Sequence, residues 1–318
     1  MTNTLLASYS NLAVYSSIVV LTLAMIAFCI DLARAVPSAA PQPMNAPILV
    51  GAAAHADASV PASPAAPAGR QRKAAGVAMA LTWLGGLLVL GGVTMRGLSV
   101  MRVPWGNMYE FATTGSAVIL GAYLVLSLRN DLRWLGLFVV GPAVLTLGLA
   151  VTVYYTQAAQ LLPSLQSFWL VIHVSVAILS AALFTIAFSV TILYLLKVRR
   201  EANPPARPNF MESLPDAAAL DRTAYGLHVV AFPLWTFTLI AGAIWAEKSW
   251  GAYWQWDPKE VWTFVIWVVY AAYLHARATS GWSPAKAAYL SLAGYGCILV
   301  NFMVVNVYFV GMHSYSGM

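Results

Sequence analysis

The chain has 318 residues, of which 60% are hydrophobic and only 9% charged, and its mean hydropathy is +0.74. Soluble domains carry roughly a quarter charged residues, so a soluble globular protein is excluded. The 17 Lys and Arg outnumber the 11 Asp and Glu, for a net charge of +6. Such a balance points either to an acidic partner or to orientation in a membrane, and the positions of the charges decide between them.

A bilayer-spanning helix needs about 20 predominantly apolar residues. Eight stretches qualify, at 11–30, 75–95, 110–128, 134–154, 168–196, 223–246, 260–278 and 285–311. The sequence therefore predicts an all-α polytopic membrane protein with eight spans. The first stretch is too long and too poor in N-terminal basic residues for a signal peptide. No A-x-A site follows its apolar run directly, so 1–34 is read as a retained first transmembrane helix. Residues 35–74 are rich in Ala and Pro, as in Pro61-Ala62-Ser63-Pro64. They hold few large apolar side chains and read as a disordered linker. Residues 75–318 then form a seven-helix unit. The cysteines, Cys29 and Cys297, both lie in apolar runs. They exclude a CxxC pair or a disulfide scaffold and read as small buried apolar side chains.

With the N-terminus outside, the inner side holds Arg34, Arg70, Arg72, Lys73, Arg129, Arg133, Lys197, Arg199, Arg200, Arg207, Arg222, Arg277 and Lys286. The outer side holds only Arg96, Arg102, Lys248 and Lys259. The positive-inside rule then favours N-out and C-out. The net charge expresses topology, and a nucleic-acid partner is not expected.

The segment 245–262 contains five of the chain's 12 tryptophans and faces outward in this topology, with the external loop placed at 245–260. Interfacial anchoring explains one or two tryptophans at a helix end. A cluster of Trp245, Trp250, Trp254, Trp256 and Trp262 around Gly251 and Tyr253 suits a large planar ligand better. Asp257-Pro258-Lys259-Glu260 also has a local meaning. Asp is a strong N-cap, Pro suits the first helical position, and Glu three residues on closes a capping box. Capping and ligand contact by Asp257 are compatible. In Pro104-Trp105-Gly106-Asn107-Met108-Tyr109-Glu110, Glu110 reads as a helix-start charge.

Five histidines complete the inventory. His55 falls in the linker and is incidental. His173 and His313 both lie at the level of the Trp-rich loop. His228 and His275 lie near the inner ends of spans six and seven. An intramembrane ionisable group is costly and marks a functional site by default, although a helix–helix hydrogen bond is the alternative. Neutral imidazole ligates iron, copper and zinc. Zinc usually takes three or four protein ligands, whereas two imidazoles beside an aromatic shelf fit haem.

The run Trp250-Gly251-Ala252-Tyr253-Trp254-Gln255-Trp256-Asp257-Pro258-Lys259-Glu260 resembles the tryptophan-rich "WWD" signature of haem-handling proteins. Its form is similar to that of the CcsA/ResC-type cytochrome c biogenesis proteins of the System II pathway. Phe232-Pro233, Gly242-Ala243-Ile244-Trp245, Tyr273-Leu274-His275-Ala276-Arg277, Gly281-Trp282 and Gly311-Met312-His313-Ser314-Tyr315 extend the resemblance over 225–315, and more loosely back to Pro104. The resemblance implies a plasma-membrane (inner-membrane) protein working with a ResB/CcsB-type subunit. Together they move haem b outward and present it for thioether attachment to the CXXCH motif of an apocytochrome c. A thiol-reducing thioredoxin-like protein is a further implied partner.

By the same resemblance, His173 and His313 would be axial ligands of the external haem, and His275 would serve an inner site. Trp250, Trp254 and Trp256 would form the platform, with Gly251, Tyr253 and Asp257 in the same binding loop. No outer-loop residue is assigned a catalytic role. The resemblance implies a component of a haem lyase complex, with bond formation either in this chain or in its partner. Arg102, Lys248 and Lys259 lie on the outer side, where each would either pair with a haem propionate or serve as an ordinary surface charge. Two other classes stand beside this one. A b-type electron carrier would use His228 and His275 as a bis-histidine pair. A transporter of another planar substrate would use the histidines as proton relays.

Overall fold

The computed structural model describes residues 2–35, 73–161, 165–204 and 209–313. Nearly all of the linker expected at 35–74, including His55, lies outside the described residues. Among the described residues, eight helices are long and apolar enough to cross a membrane. They are α1 (Thr4–Arg34), α2 (Lys73–Val100), α3 (Met108–Ser127), α4 (Gly136–Thr152, preceded by a 3-10 turn at Arg133–Leu135), α5 (Phe168–Ala202), α6 (Ala217–Trp250), α7 (Pro258–Ala278) and α8 (Pro284–Leu299). A π turn, Val300–Val305, continues α8 into a last short helical turn, α9 (Asn306–Tyr308). No strand occurs among the described residues. The chain is a multi-pass membrane protein.

Several helices outrun their expected limits because polar caps, not apolar runs, set their ends. Asn3 caps α1 by accepting from the Leu6 N–H at 3.0 Å. Asp216 caps α6 through the Ala219 N–H at 2.6 Å. The largest difference falls on the Trp-rich segment. α6 runs to Trp250, where Gly251 takes the left-handed conformation (φ 78°) that ends it. α7 starts at Pro258. The external loop expected at 245–260 is therefore only 251–257.

Helix pairs pack through small residues and interhelical hydrogen bonds, as expected where lipid supplies no hydrophobic contrast. Ser10 and Ser17 on α1 donate to the Gly92 and Gly85 carbonyls of α2 at 2.7 and 2.8 Å. Leu5, Leu12, Val19, Leu23, Ile26 and Ile30 leave the opposite face of α1 exposed and apolar, as a lipid-facing surface requires. Cys29 is also exposed, contrary to the buried position expected, and Cys297 is half-buried. One core joins α1 to α4 through Leu21, Phe28, Val89, Leu120 and Leu147. Another joins α5 to α8 through Phe184, Trp235, Tyr270 and Tyr295.

The loops after α2, α4 and α6 and the segment after α8 gather at one end of the bundle. Arg102 Nη2 donates to the Ala159 carbonyl at 2.7 Å. Lys259 of α7 donates to Asn306 of α9 at 2.6 Å. The opposite end is pinned by the bidentate Arg277–Asp221 pair, at 2.8 Å for each bond.

Candidate functional site

A cavity of about 310 Å³ opens among α3, α5, α6, α7 and α8. This is near the lower limit for small-molecule sites, about 300–1,000 Å³. His173, His313, Trp245, Tyr253, Trp254 and Lys259 all line it. The structure thus brings together two residues 140 positions apart, expected as a pair from depth and resemblance alone.

His173 lies one turn into α5, behind the Ser167 N-cap. Its Nδ1 is 2.9 Å from the Thr238 carbonyl oxygen of α6. A carbonyl only accepts, so in that contact Nδ1 carries the proton and Nε2 holds the free lone pair. The ring lies parallel to Trp245, with centroids 6.0 Å apart and planes at 8°. Gly242 makes this packing possible. A Cβ there would stand 2.7 Å from His173 Cε1 and 2.9 Å from Nδ1.

His313 is held in the corresponding way by a side chain. Its Nδ1 is 2.8 Å from Asp257 Oδ1, while the Met312 N–H donates to Asp257 Oδ2 at 2.6 Å. The Gly311 position has no room for a Cβ beside that carboxylate. Trp245 and Trp250 meet the His313 ring edge-on, at 5.4 and 4.8 Å. Trp245, 2% exposed, contacts both imidazoles. Tying Nδ1 to an acceptor is the usual way a protein aims Nε2 at a metal.

Asp257 also caps α7 through the Lys259 N–H at 2.9 Å, and Glu260 Oε2 accepts from the Asp257 N–H at 3.2 Å. The expected capping box is present. Burial alone would raise the Asp257 pKa. The His313 hydrogen bond and charge, with two backbone N–H bonds, outweigh it and hold the carboxyl below its ordinary range.

The aromatic residues divide. Tyr253 and Trp254 line the cavity, whereas Trp250, Gly251, Trp256 and Asp257 stand behind or outside its wall. Trp256 is 76% exposed and has a left-handed backbone (φ 59°), strained for an aromatic residue. Four buried polar atoms in the lining have no hydrogen-bond partner among the described residues: Trp105 Nε1, Trp245 Nε1, Glu260 Oε1 and Asn301 Oδ1. A cavity with apolar walls and unused donors and acceptors fits an amphipathic ligand with polar edges.

Of the three cations considered for that ligand, two are engaged elsewhere. Arg102 grips both oxygens of Glu110 at 2.7 and 3.0 Å and bonds the Val103 and Ala159 carbonyls. Arg96 joins the same carboxylate at 3.0 Å. Glu110 is fully buried and anchors two arginines, beyond its expected role as a helix-start charge. Lys248 is 60% exposed and pairs with Glu247 at 3.1 Å. Only Lys259 faces the cavity.

The inner histidines do not share a setting. His228 is buried, with Nδ1 2.7 Å from the Ala224 carbonyl and Nε2 3.0 Å from Ser291 Oγ. Phe184, Tyr270 and Tyr273 surround it. Both of its nitrogens are used, and it acts as a packing residue. His275 is exposed on α7. This arrangement gives no support to a bis-histidine pair between them.

Residues 105–313 match the family model for the cytochrome c assembly protein. The chain is 35% identical over 237 residues to the cytochrome c biogenesis protein CcsA of Guillardia theta, covering 67% of this chain and 76% of the relative. It is 31% identical over 291 residues to CcsA of Synechococcus elongatus, covering 76% of this chain and 86% of the relative. Its fold matches the solved cytochrome c haem lyase CcmF with a TM-score of 0.65 at 14% identity, over 96% of this chain but only 47% of the lyase. The chain belongs to the cytochrome c assembly family, as a CcsA-type cytochrome c biogenesis protein.

Proposed function

We propose that this chain binds haem b as its substrate at the outer membrane face, with His173 and His313 on the iron, and presents it to the CXXCH motif of an apocytochrome c. The observation that carries this reading is the pair of imidazoles in one aromatic cavity, each with Nδ1 tied and Nε2 left for a metal. Haem brings four ligands of its own and needs only two from the protein. The external WWD loop, the plasma-membrane location and the 75–318 haem-handling unit belong to the same proposal, as does the ResB/CcsB-type partner.

The chain's own residues supply position. Trp245 and Trp254 give flat apolar contact, and Thr238 and Asp257 hold the imidazoles in orientation. With both axial positions of the iron filled, the vinyl edge is the part left to react. Thioether formation adds each cysteine S–H across a vinyl double bond, so catalysis here is proximity and orientation, with reactivity supplied by the haem. A thioredoxin-like reductant would keep those cysteines as thiols.

Absorption spectra of the purified full chain, alone and with its partner, test the reading. A low-spin bis-imidazole haem spectrum is expected, and a chain that takes up no haem in either preparation overturns it. Gly242→Ala is expected to push the His173 ring off the Thr238 carbonyl. Overpacking of this kind costs about 1–3 kcal/mol; where that cost falls on the ligating orientation of His173, haem affinity drops by roughly five- to 150-fold, measured by titration. Unchanged affinity would show that the His173 orientation is immaterial.

His275 deepens the proposal toward transport. It is exposed on the inner half of α7, where a partner helix can complete an inner haem site. His275→Ala is expected to lower outer-site loading by severalfold in cells while leaving haem titration of the purified chain unchanged. Normal loading in cells would remove His275 from the route.

A further inference from the structure

Lys259 lines the cavity and forms no ion pair among the described residues. Lys259 Nζ donates to the main-chain oxygen of Asn301 at 3.0 Å and to Asn306 Oδ1 at 2.6 Å. Both acceptors are neutral, and an ammonium has a third N–H to give. Among the described residues no Asp or Glu oxygen lies within ion-pair distance of this group, whereas Arg96 and Arg102 share Glu110, Lys248 has Glu247 and Arg277 has Asp221. Glu260 follows directly in α7, but its Oε2 accepts from the backbone N–H groups of Gln255 and Asp257.

A helix defect makes the lysine's seat. α8 passes into a π turn at Val300–Val305. Such turns are rare and concentrate at functional sites. This one presents the Asn301 carbonyl and the Asn306 side chain, five residues apart, to the same ammonium. Asn306 is itself oriented by donating from Nδ2 to Met108 Sδ at 3.0 Å. The lysine is thus held at the cavity wall, not left to fold back toward solvent.

Two further donors serve the same space. The indole N–H groups of Trp105 and Trp245 are buried, line the cavity and have no acceptor among the described residues. The third N–H of Lys259 and the two indole N–H groups outnumber the two unpaired acceptors of the lining, Glu260 Oε1 and Asn301 Oδ1, and call for a further acceptor on the ligand, which a carboxylate supplies.

We propose that Lys259 is the carboxylate-recognition point of the site, bonding one propionate of the haem held between His173 and His313. The assignment rests on the haem reading above and adds to it the choice of Lys259 over Arg102 and Lys248.

The test titrates the full chain with iron protoporphyrin IX and with its dimethyl ester, which keeps the ring and iron but has no carboxylate. A charge-assisted bond in a desolvated site is expected to favour the diacid by about tenfold or more. Lys259→Met should bind the two porphyrins equally, and Lys259→Arg should keep the preference. Asn306→Asp, which gives the ammonium an internal counter-charge, should reduce the preference without removing the lysine. The low-spin bis-imidazole spectrum should persist in all three. A wild-type preference that survives in Lys259→Met or is unchanged in Asn306→Asp overturns the assignment, as does equal binding by wild type, and each leaves the histidine site standing. A wild-type chain that binds neither porphyrin overturns both.

Discussion

Replacing His173 by Ala, or His313 by Ala, is expected to abolish the bis-imidazole spectrum and stop cytochrome c maturation. Removing a group that merely orients a metal ligand costs about 10–100-fold in affinity. Removing the ligand itself is expected to exceed a hundredfold. The two variants should behave alike, because both imidazoles are held by Nδ1 and both border Trp245. Imidazole added to the medium should restore the spectrum, since each truncation leaves a hole at the position of the lost ring. The bundle should survive. His173 makes one interhelical hydrogen bond, and His313 lies beyond the last span. A variant that matures cytochrome c and binds haem as wild type does would remove that histidine from the iron. The same substitution at His228 gives the contrast. That ring is enclosed by Phe184, Tyr270 and Tyr273 and bonded at both nitrogens, so its loss acts on packing.

The spans were legible in the sequence because lipid imposes a long apolar run on every crossing, and charge asymmetry checks the count. His173 stood out as an ionisable group in an apolar run, whereas His313, beyond the last span, was paired with it only by its depth and by the resemblance. Helix ends were less legible. They depend on single caps such as Asn3 and Asp216, and on Gly251 reaching a left-handed conformation, so the Trp loop proved half as long as expected. The groups that aim the histidines were harder still. The Thr238 carbonyl belongs to the backbone, which any residue at 238 would supply. Gly242 stood in the sequence as part of a resemblance, and its reason, contact with the His173 ring, appears only once α5 and α6 are packed. The π turn left a faint trace: two asparagines five apart in an otherwise apolar last span. Which tryptophans face the ligand depends on the loop path, and composition treats Trp254 and Trp256 alike although one lines the cavity and the other faces out.

Asp257 joins these levels, because one carboxylate starts α7 and holds His313. Asp257→Ala removes the acceptor for the Lys259 N–H, the Met312 N–H and the His313 ring. Loss of a cap costs about 1 kcal/mol and a hydrogen bond to a charged group about 1.5–3 kcal/mol. Together a local loss of about 2–4 kcal/mol is expected, with the segment after α9 released from the loop. Asp257→Asn separates the two roles. Asn is as good an N-cap as Asp, so the cap is kept and the melting temperature should fall less than in Asp257→Ala. An amide has one acceptor oxygen, and its NH2 cannot accept from the Met312 N–H if the oxygen faces His313. The neutral amide also leaves Nε2 a weaker donor to iron. Haem affinity is therefore expected to fall about 10–100-fold in a chain that keeps its α7 cap, read from paired melting and titration curves. pH should act in the same direction. The folded carboxyl titrates below its ordinary 3.8. Its contribution is thus full above that value and is lost as pH falls through the lower folded one. Asp257→Asn should lack this acid step. If the Asp257→Asn variant binds haem as tightly as wild type, capping is the whole of the residue's role and His313 needs no carboxylate behind it.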